Sequence, residues 1–85
     1  MTLKIISTTE ILFEGEVSLV SLPGAMGRFT VLSNQASLIS PLTAGQIGYR
    51  TTDNPLSDNG DYEGKFDIKG GIADIDNNLI SVCVY

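Results

Sequence analysis

Residues 65–85 read KFDIKGGIADIDNNLISVCVY, and the spacing of their apolar residues decides the kind of fold the chain adopts. Phe66, Ile68, Gly70 and Ile72 fall on one side while Lys65, Asp67, Lys69 and Gly71 fall on the other, the two-residue period of a half-buried strand. The phase then slips, so that Ala73 and Ile75 become the apolar set and Asp74 and Asp76 the polar one; the Gly70-Gly71 pair is where a bend absorbs the extra residue. Asp76-Asn77-Asn78 follows, and Asn tolerates the positive φ of a tight hairpin turn. The terminal run LISVCVY sets Ile80, Val82 and Val84 on one face and Leu79, Cys83 and Tyr85 on the other, which reads as a strand covered on both sides.

Working back from there, LKII, EVSLVSL, RFTVL and QIGYRTT are each short, rich in β-branched or aromatic residues, and separated by Gly, Pro or Asn signals. The one long turn-rich stretch is TDNPLSDNGDYEG at residues 52–64, where Pro55 interrupts pairing and Asn59-Gly60 favours a reversal. No run has the length or period of a long helix. Many short strands in 85 residues predict an all-β fold, a flattened β-sandwich or barrel, with residues 1–85 as a single domain. A chain this short encloses one core and buries roughly 60–65% of its unfolded surface.

Composition excludes most chemistry. The net charge of −5 repels nucleic acid and anionic lipid at long range, and the five basic residues Lys4, Arg28, Arg50, Lys65 and Lys69 are scattered along the sequence. Neither nucleic-acid binding nor direct lipid insertion is expected. With no His and one Cys, Cys83, there is no zinc-finger set, no Cys/His pair, no Ser-His-Asp triad and no internal disulfide. Apolar runs fall far short of the ~20 residues a membrane helix needs, and no secretory leader is visible. The expected compartment is a reducing cytoplasm.

The residues admit four further readings. Asp53, Asp58, Asp61 and Glu63 invite a calcium loop; a register starting at Asn59 aligns Asp61, Glu63 and Gly64, but its twelfth position is Gly70, not Glu, so a solvated hairpin tip is favoured. Neither GAMG nor GKFDIKGG matches a nucleotide fingerprint, which needs a Gly-rich turn between strand and helix. Glu10, Glu14 and Glu16 read as surface charge around a turn at Gly15 rather than as an acid/base pair. Lys69, before Gly70-Gly71, is the one candidate for a lipoyl- or biotinyl-type carrier lysine; its alternation with Phe66 and Ile68 places it within a strand and favours a solvent-facing structural Lys. No metal or cofactor is expected.

Residues 22–40, LPGAMGRFTVLSNQASLIS, are too apolar for an idle loop and too poor in acids, bases and nucleophiles for an active site. Together with Phe13, Gly15 and Val17 in the ILFEGEV stretch, Leu38 with Leu42 and Gly45, and the Gly70-Gly71 pair, they resemble the N-terminal β-sandwich of the epsilon subunit of F-type ATP synthases (delta in mitochondria), over roughly residues 3–84. The resemblance implies a flattened sandwich of two five-stranded sheets and a non-catalytic part of the rotor. In that family the domain joins the foot of the gamma subunit to the polar loops of the c ring, peripheral to the cytoplasmic face of the inner (plasma) membrane, so that ion-driven rotation turns the stalk.

Carried over position by position, Gly24, Ala25, Met26, Gly27 and Arg28 match the loop facing the c ring, with Phe29, Val31 and Leu38 in the core behind it. Ser7, Gln35 and Ser40 match positions near gamma. Two departures stand out: Gln35 replaces a frequent His, and Arg28 replaces a frequent acid, so that the partner expected opposite Arg28 is acidic or a carbonyl-lined polar loop. Many relatives continue for about fifty residues as two inhibitory helices. The sequence stops at Tyr85, where the sandwich ends; a naturally short form and a shortened one are both compatible with that, and no helical regulation is expected of these residues.

Overall fold

The computed structural model describes residues 1–51 and 62–85, and among them nine strands follow one another with no helix: β1 Thr2–Ile6, β2 Ile11–Glu16, β3 Leu19–Gly24, β4 Gly27–Leu32, β5 Leu38–Leu42, β6 Gly45–Arg50, β7 Gly64–Ile68, β8 Gly71–Asp76 and β9 Leu79–Val84. The phase slip is real. β8 buries Ala73 and Ile75 and exposes Ile72, Asp74 and Asp76, whereas β7 buries Ile68 and half-buries Phe66. The expected Asn turn closes β8 on β9, with Asn77 at φ 50° and Asn78 at φ 60°, the doubly positive pair that a right-twisted hairpin demands.

Hydrogen bonding runs β2-β1-β9-β8-β5 in one half and β4-β3-β6-β7 in the other. The halves join where Gly24 of β3 pairs with Leu42 of β5, supported by Ala25 N donating to Pro41 O (3.0 Å) and Thr43 N to Pro23 O (2.8 Å). Five plus four strands in one continuous curled sheet therefore replace the expected two separate five-stranded sheets. The physical reason is that β3 is shared, pairing with β6 through its first half and meeting β5 at its last residue.

Inside the curl lies a single cluster that includes Leu3, Ile5, Val20, Leu22, Val31, Ile47, Ala73, Ile80 and Val82, all at 0% exposure. Each of the Leu, Ile and Val side chains among them contributes about 1.5–3 kcal/mol by leaving water. Three aromatic rings close the open side between the free edges: Phe13 of β2 lies 4.4 Å from Tyr49 of β6 and 5.9 Å from Phe66 of β7, centroid to centroid. Offset, tilted rings of this kind pack better than parallel faces.

Three local expectations are corrected. Gly15 is not a turn; it pairs with Leu3 inside β2, and the Phe13 ring lies over it, 3.2 Å from where a Cβ would stand. β9 is buried on one face alone, since Leu79, Cys83 and Tyr85 face outward. Leu38 shares the inward register of Ile75 but begins an edge strand, and 41% of it stays exposed. Thr52, Asp53, Pro55, Asp58, Asn59, Gly60 and Asp61 lie outside the described residues, and the calcium-loop reading with them.

Candidate functional site

The residues singled out in the 22–40 stretch form the β3–β4 hairpin. Leu22 pairs with Phe29, Pro23 with Arg28 and Gly24 with Gly27, leaving Ala25-Met26 as the tip. Gly27 takes φ +126°, a conformation that disfavours any side chain, so the two-residue reversal depends on glycine there. The Ala25 bond to Pro41 fixes the tip to the neighbouring sheet half, and Met26 projects from it fully exposed. An anchored backbone thus presents a flexible apolar side chain to solvent.

Arg28 does not project with it. Its Nη1 donates to Ser21 Oγ at 2.6 Å and its Nη2 to the Gln46 carbonyl at 2.5 Å, folding the guanidinium onto the outer face of β3 and β6. Ser21, 1% exposed, is a buried polar side chain satisfied by that contact. Beside it lies a cleft lined by Arg28, Gln46, Gly48, Tyr62 and Lys65.

Across the outer face of the five-stranded half, register places Ile11, Ile6, Cys83, Ile72 and Pro41 in one row, ending next to the hairpin tip. Ile11 and Ile72 are 54% and 55% exposed. With Met26 they form an apolar strip from the β2 edge to the tip. Sequence reading missed it because Ile72 and Cys83 were assigned to covered faces; the slip of phase at Gly70-Gly71 was the available signal.

The three positions matched to gamma contacts are not brought together. Ser7 lies in the β1–β2 turn at the hairpin end, where its Oγ accepts from Glu10 N (3.2 Å) and Thr9 N (3.3 Å). Gln35 lies at the opposite end, its Oε1 accepting from Leu32 N (3.1 Å), in a loop tied to the β8–β9 turn by Asn34 N donating to Asn78 Oδ1 (2.6 Å). Ser40 sits half-buried within β5, on the inward register of Ala73.

Little else has the makings of chemistry. Among the described residues no three His, Cys, Asp or Glu side chains gather as a metal site. Glu16 is held below its ordinary value, chiefly by the Thr2 hydroxyl that donates to it (2.5 Å); desolvation opposes this, and the Met1 ammonium at 3.5 Å adds a lesser lowering. Both groups serve to pin the first strand to β2. Lys69 is not in a strand: it lies in the link between β7 and β8, which pair with different neighbours, so it occupies no hairpin tip of the kind a carrier lysine needs. No helix among the described residues is long and apolar enough to cross a membrane.

Comparison with known proteins agrees with this architecture. Residues 1–85 match the family described as "ATP synthase, Delta/Epsilon chain, beta-sandwich domain". The chain is similar to the ATP synthase epsilon chains of Rickettsia typhi (34% identical, covering 93% of this chain and 67% of that one) and Chlorobaculum tepidum (31%, 91% and 80%). It is also similar to that of Latilactobacillus sakei (26% identical), of which it spans 53%. Two structures share the fold: the Tetrahymena thermophila mitochondrial ATP synthase central stalk and c ring (TM-score 0.77, 14% identity, 99% of this chain and 62% of that chain), and the Euglena gracilis mitochondrial ATP synthase OSCP/F1/c-ring assembly (0.74, 18%, 96% and 48%). The chain spans about half to two thirds of the length of most of the curated relatives it matches. With its whole described length matched and its strands laid out as a curled β-sandwich, the chain belongs to the delta/epsilon β-sandwich family of ATP synthase subunits.

Proposed function

We propose that residues 1–85 serve as a non-catalytic part of an ATP synthase central stalk, seated between the gamma subunit and the c ring, so that rotation of the ring turns the stalk. The observation that carries this reading is the apolar strip from Ile11 through Ile72 to Met26, exposed on a rigid sheet. Contiguous exposed apolar surface on a small domain marks a protein contact, and a close-packed sandwich passes force between two surfaces without bending. Membership of the family and the central-stalk origin of the structural neighbours support it.

In this reading the tip formed by Gly24, Ala25, Met26, Gly27 and Arg28 faces the c ring, and Ser7, Gln35 and Ser40 face gamma. Ser7 and Gln35 stand at opposite ends of a domain whose long axis is 35 Å, so gamma must lie along its flank rather than cap one end. The molecule is then peripheral to the membrane, held there by its partners on the cytoplasmic face, and these residues themselves carry coupling contacts and no inhibitory element.

Co-purification with the gamma subunit and c ring of the same organism tests the assignment. A stable complex should form at low and moderate salt, and Met26→Asp should weaken assembly with the ring about tenfold while leaving Tm unchanged, because Met26 is fully exposed. Failure of the unaltered chain to bind either partner refutes the function; normal ring assembly by Met26→Asp refutes the placement of the tip.

A further inference from the structure

We propose that the outer face of the five-stranded half docks a partner segment that lays apolar side chains along the row of Ile6, Cys83 and Ile72 and points a lysine or arginine at Asp74 and Asp76. This rests on the stalk reading above, in which gamma lies along the flank of the domain, and it gives that apolar contact a charged half.

Register sets the two chemistries side by side. The outward side chains of β8 are Ile72, Asp74 and Asp76, and same-face neighbours on a strand recur every ~6.6 Å, so the first carboxylate stands about 7 Å from the apolar row and the second about 13 Å. Across the strands Asp74 is matched with Ser81 of β9 and Ile39 of β5, and Asp76 with Leu79 of β9; Ile39 and Leu79 are both exposed. Asp74, Asp76, Asn77, Leu79 and Ser81 line a recess of about 310 Å³, room for the end of one long side chain. Exposed Ile39, Ile72 and Leu79 around the carboxylates continue the apolar strip, and contiguous apolar surface of this kind marks a contact.

Acid is in excess on this face. β2 contributes Glu14 and Glu16, β8 Asp74 and Asp76, and β1 a single cation, Lys4. Glu16 is occupied by the Met1 ammonium and the Thr2 hydroxyl. Lys4 stands directly across from Glu14 and two strands, about 10 Å, from Asp74, with Ser81 between them; it forms no ion pair with either. Asp76 accepts the Ser37 hydroxyl at 2.6 Å, a neutral donor that orients the carboxylate and leaves its charge in place, and the Asp74 carboxylate has no partner among the described residues. Arg28, Arg50 and Lys65 belong to the other half, and Lys69 precedes β8 on the far side of Ile72 from Asp74. Residues 52–61 join β6 to β7 and hold no Lys or Arg, so they bring no cation to this face.

Those charges select the occupant. A calcium ion needs six to eight oxygen ligands, and no three His, Cys, Asp or Glu side chains gather among the described residues. A second copy of the chain placed face to face would set Glu14, Asp74 and Asp76 against the same three acids, with Lys4 alone on each side to offset them. A basic partner segment meets the same excess with attraction, and the net charge of −5 steers it in. The position of the face fits a flank partner: Ser7 follows Ile6 at one end, and the Gln35 loop is tied to the β8–β9 turn by Asn34 and Asn78 at the other, so the face spans the distance between the two positions matched to gamma.

The test uses Asp74, which is exposed and lies outside the apolar row. Binding to the gamma subunit of the same organism is measured for the unaltered protein, Asp74→Lys and Asp74→Glu across salt concentrations; calcium chloride is titrated against the Asp74 amide signal, and the chain alone is sedimented. Expected are an unchanged Tm for both variants, about tenfold weaker binding of Asp74→Lys at low salt, a gap that narrows as salt rises, near-normal binding of Asp74→Glu, no calcium saturation below tens of millimolar, and a monomer. If Asp74→Lys binds gamma as well as the unaltered chain does, the cationic partner is refuted while the stalk reading stands. If the unaltered chain does not bind gamma at all, the stalk reading falls with the proposal. Calcium saturating at submillimolar concentration overturns the partner side chain in favour of a metal ion, and a dimer that Ile72→Asp disperses overturns it in favour of a second copy.

Discussion

Replacing Arg28 by Met removes the charged fork and keeps most of the aliphatic stem, which isolates what the guanidinium does for the fold. Its bond to the Gln46 carbonyl is at the surface, where water substitutes for it at little cost. The bond to Ser21 is different, because Ser21 is 1% exposed and has no other side-chain hydrogen bond among the described residues. Leaving a buried hydroxyl unpaired costs about 1–3 kcal/mol, and the partial access that a Met allows argues for the lower half, about 1–2 kcal/mol. In a domain of this size that lowers Tm by roughly 5–12 °C. Thermal and urea unfolding followed by circular dichroism measure it, in a cycle with Ser21→Ala: once Arg28 is Met, removing the Ser21 hydroxyl should cost almost nothing further, giving a coupling of about 1 kcal/mol. Additive effects within ~0.3 kcal/mol would show that the fork is not a clamp. The result also governs how a charge reversal at Arg28 is read: Arg28→Glu weakens the fold as well as any contact, so a loss of binding is assigned to the contact only for the part that exceeds the loss of folded protein.

Phe13→Ala opens the seam between the β2 and β7 edges; for a half-buried ring it should cost about 2–3 kcal/mol, below the 3–5 of a fully buried Phe, with Phe13→Leu recovering at least half of the loss in urea midpoint. Thr2→Val removes the hydrogen bond that holds Glu16 below its ordinary value of 4.5. Because the folded state lowers this carboxyl's pKa, its contribution is present above the unfolded pKa and disappears as pH falls through the lowered folded value; the stability gap between Thr2→Val and the unaltered chain should therefore be seen at neutral pH and close in strong acid, and a gap constant with pH would rule the linkage out.

The strand-rich character of the chain was legible because alternation survives wherever one face is buried: β7 and β8 keep the period on either side of the Gly70-Gly71 break, and Asn77-Asn78 announce their turn. β2 was obscured at Gly15, where the usual sense of a glycine as a reversal competed with a different need, room for the Phe13 ring. β5 was obscured by Pro41, tolerated because β5 pairs with β8 along one side and meets β3 at a single residue on the other. The both-sides-apolar pattern of β9 has a further cause: its outward Cys83 belongs to a row with Ile6 and Ile72 that the described chain leaves uncovered. An apolar run does not distinguish a face buried by its own chain from one left for a partner.

The cleft shows what one-dimensional reading lacks. Arg28, Gln46, Gly48, Tyr62 and Lys65 carry no spacing signal, since they come from three separate segments and meet through the registers of β3 with β4, β6 with β3 and β7 with β6. In the sequence the cations are scattered and the overall charge excludes anions. In the fold Arg28 and Lys65 stand in the walls of one cleft although they lie far apart in the sequence. Charge totals therefore weigh against extended polyanionic partners, which sample the whole surface, but say nothing about which side chains strand register brings together at one cleft.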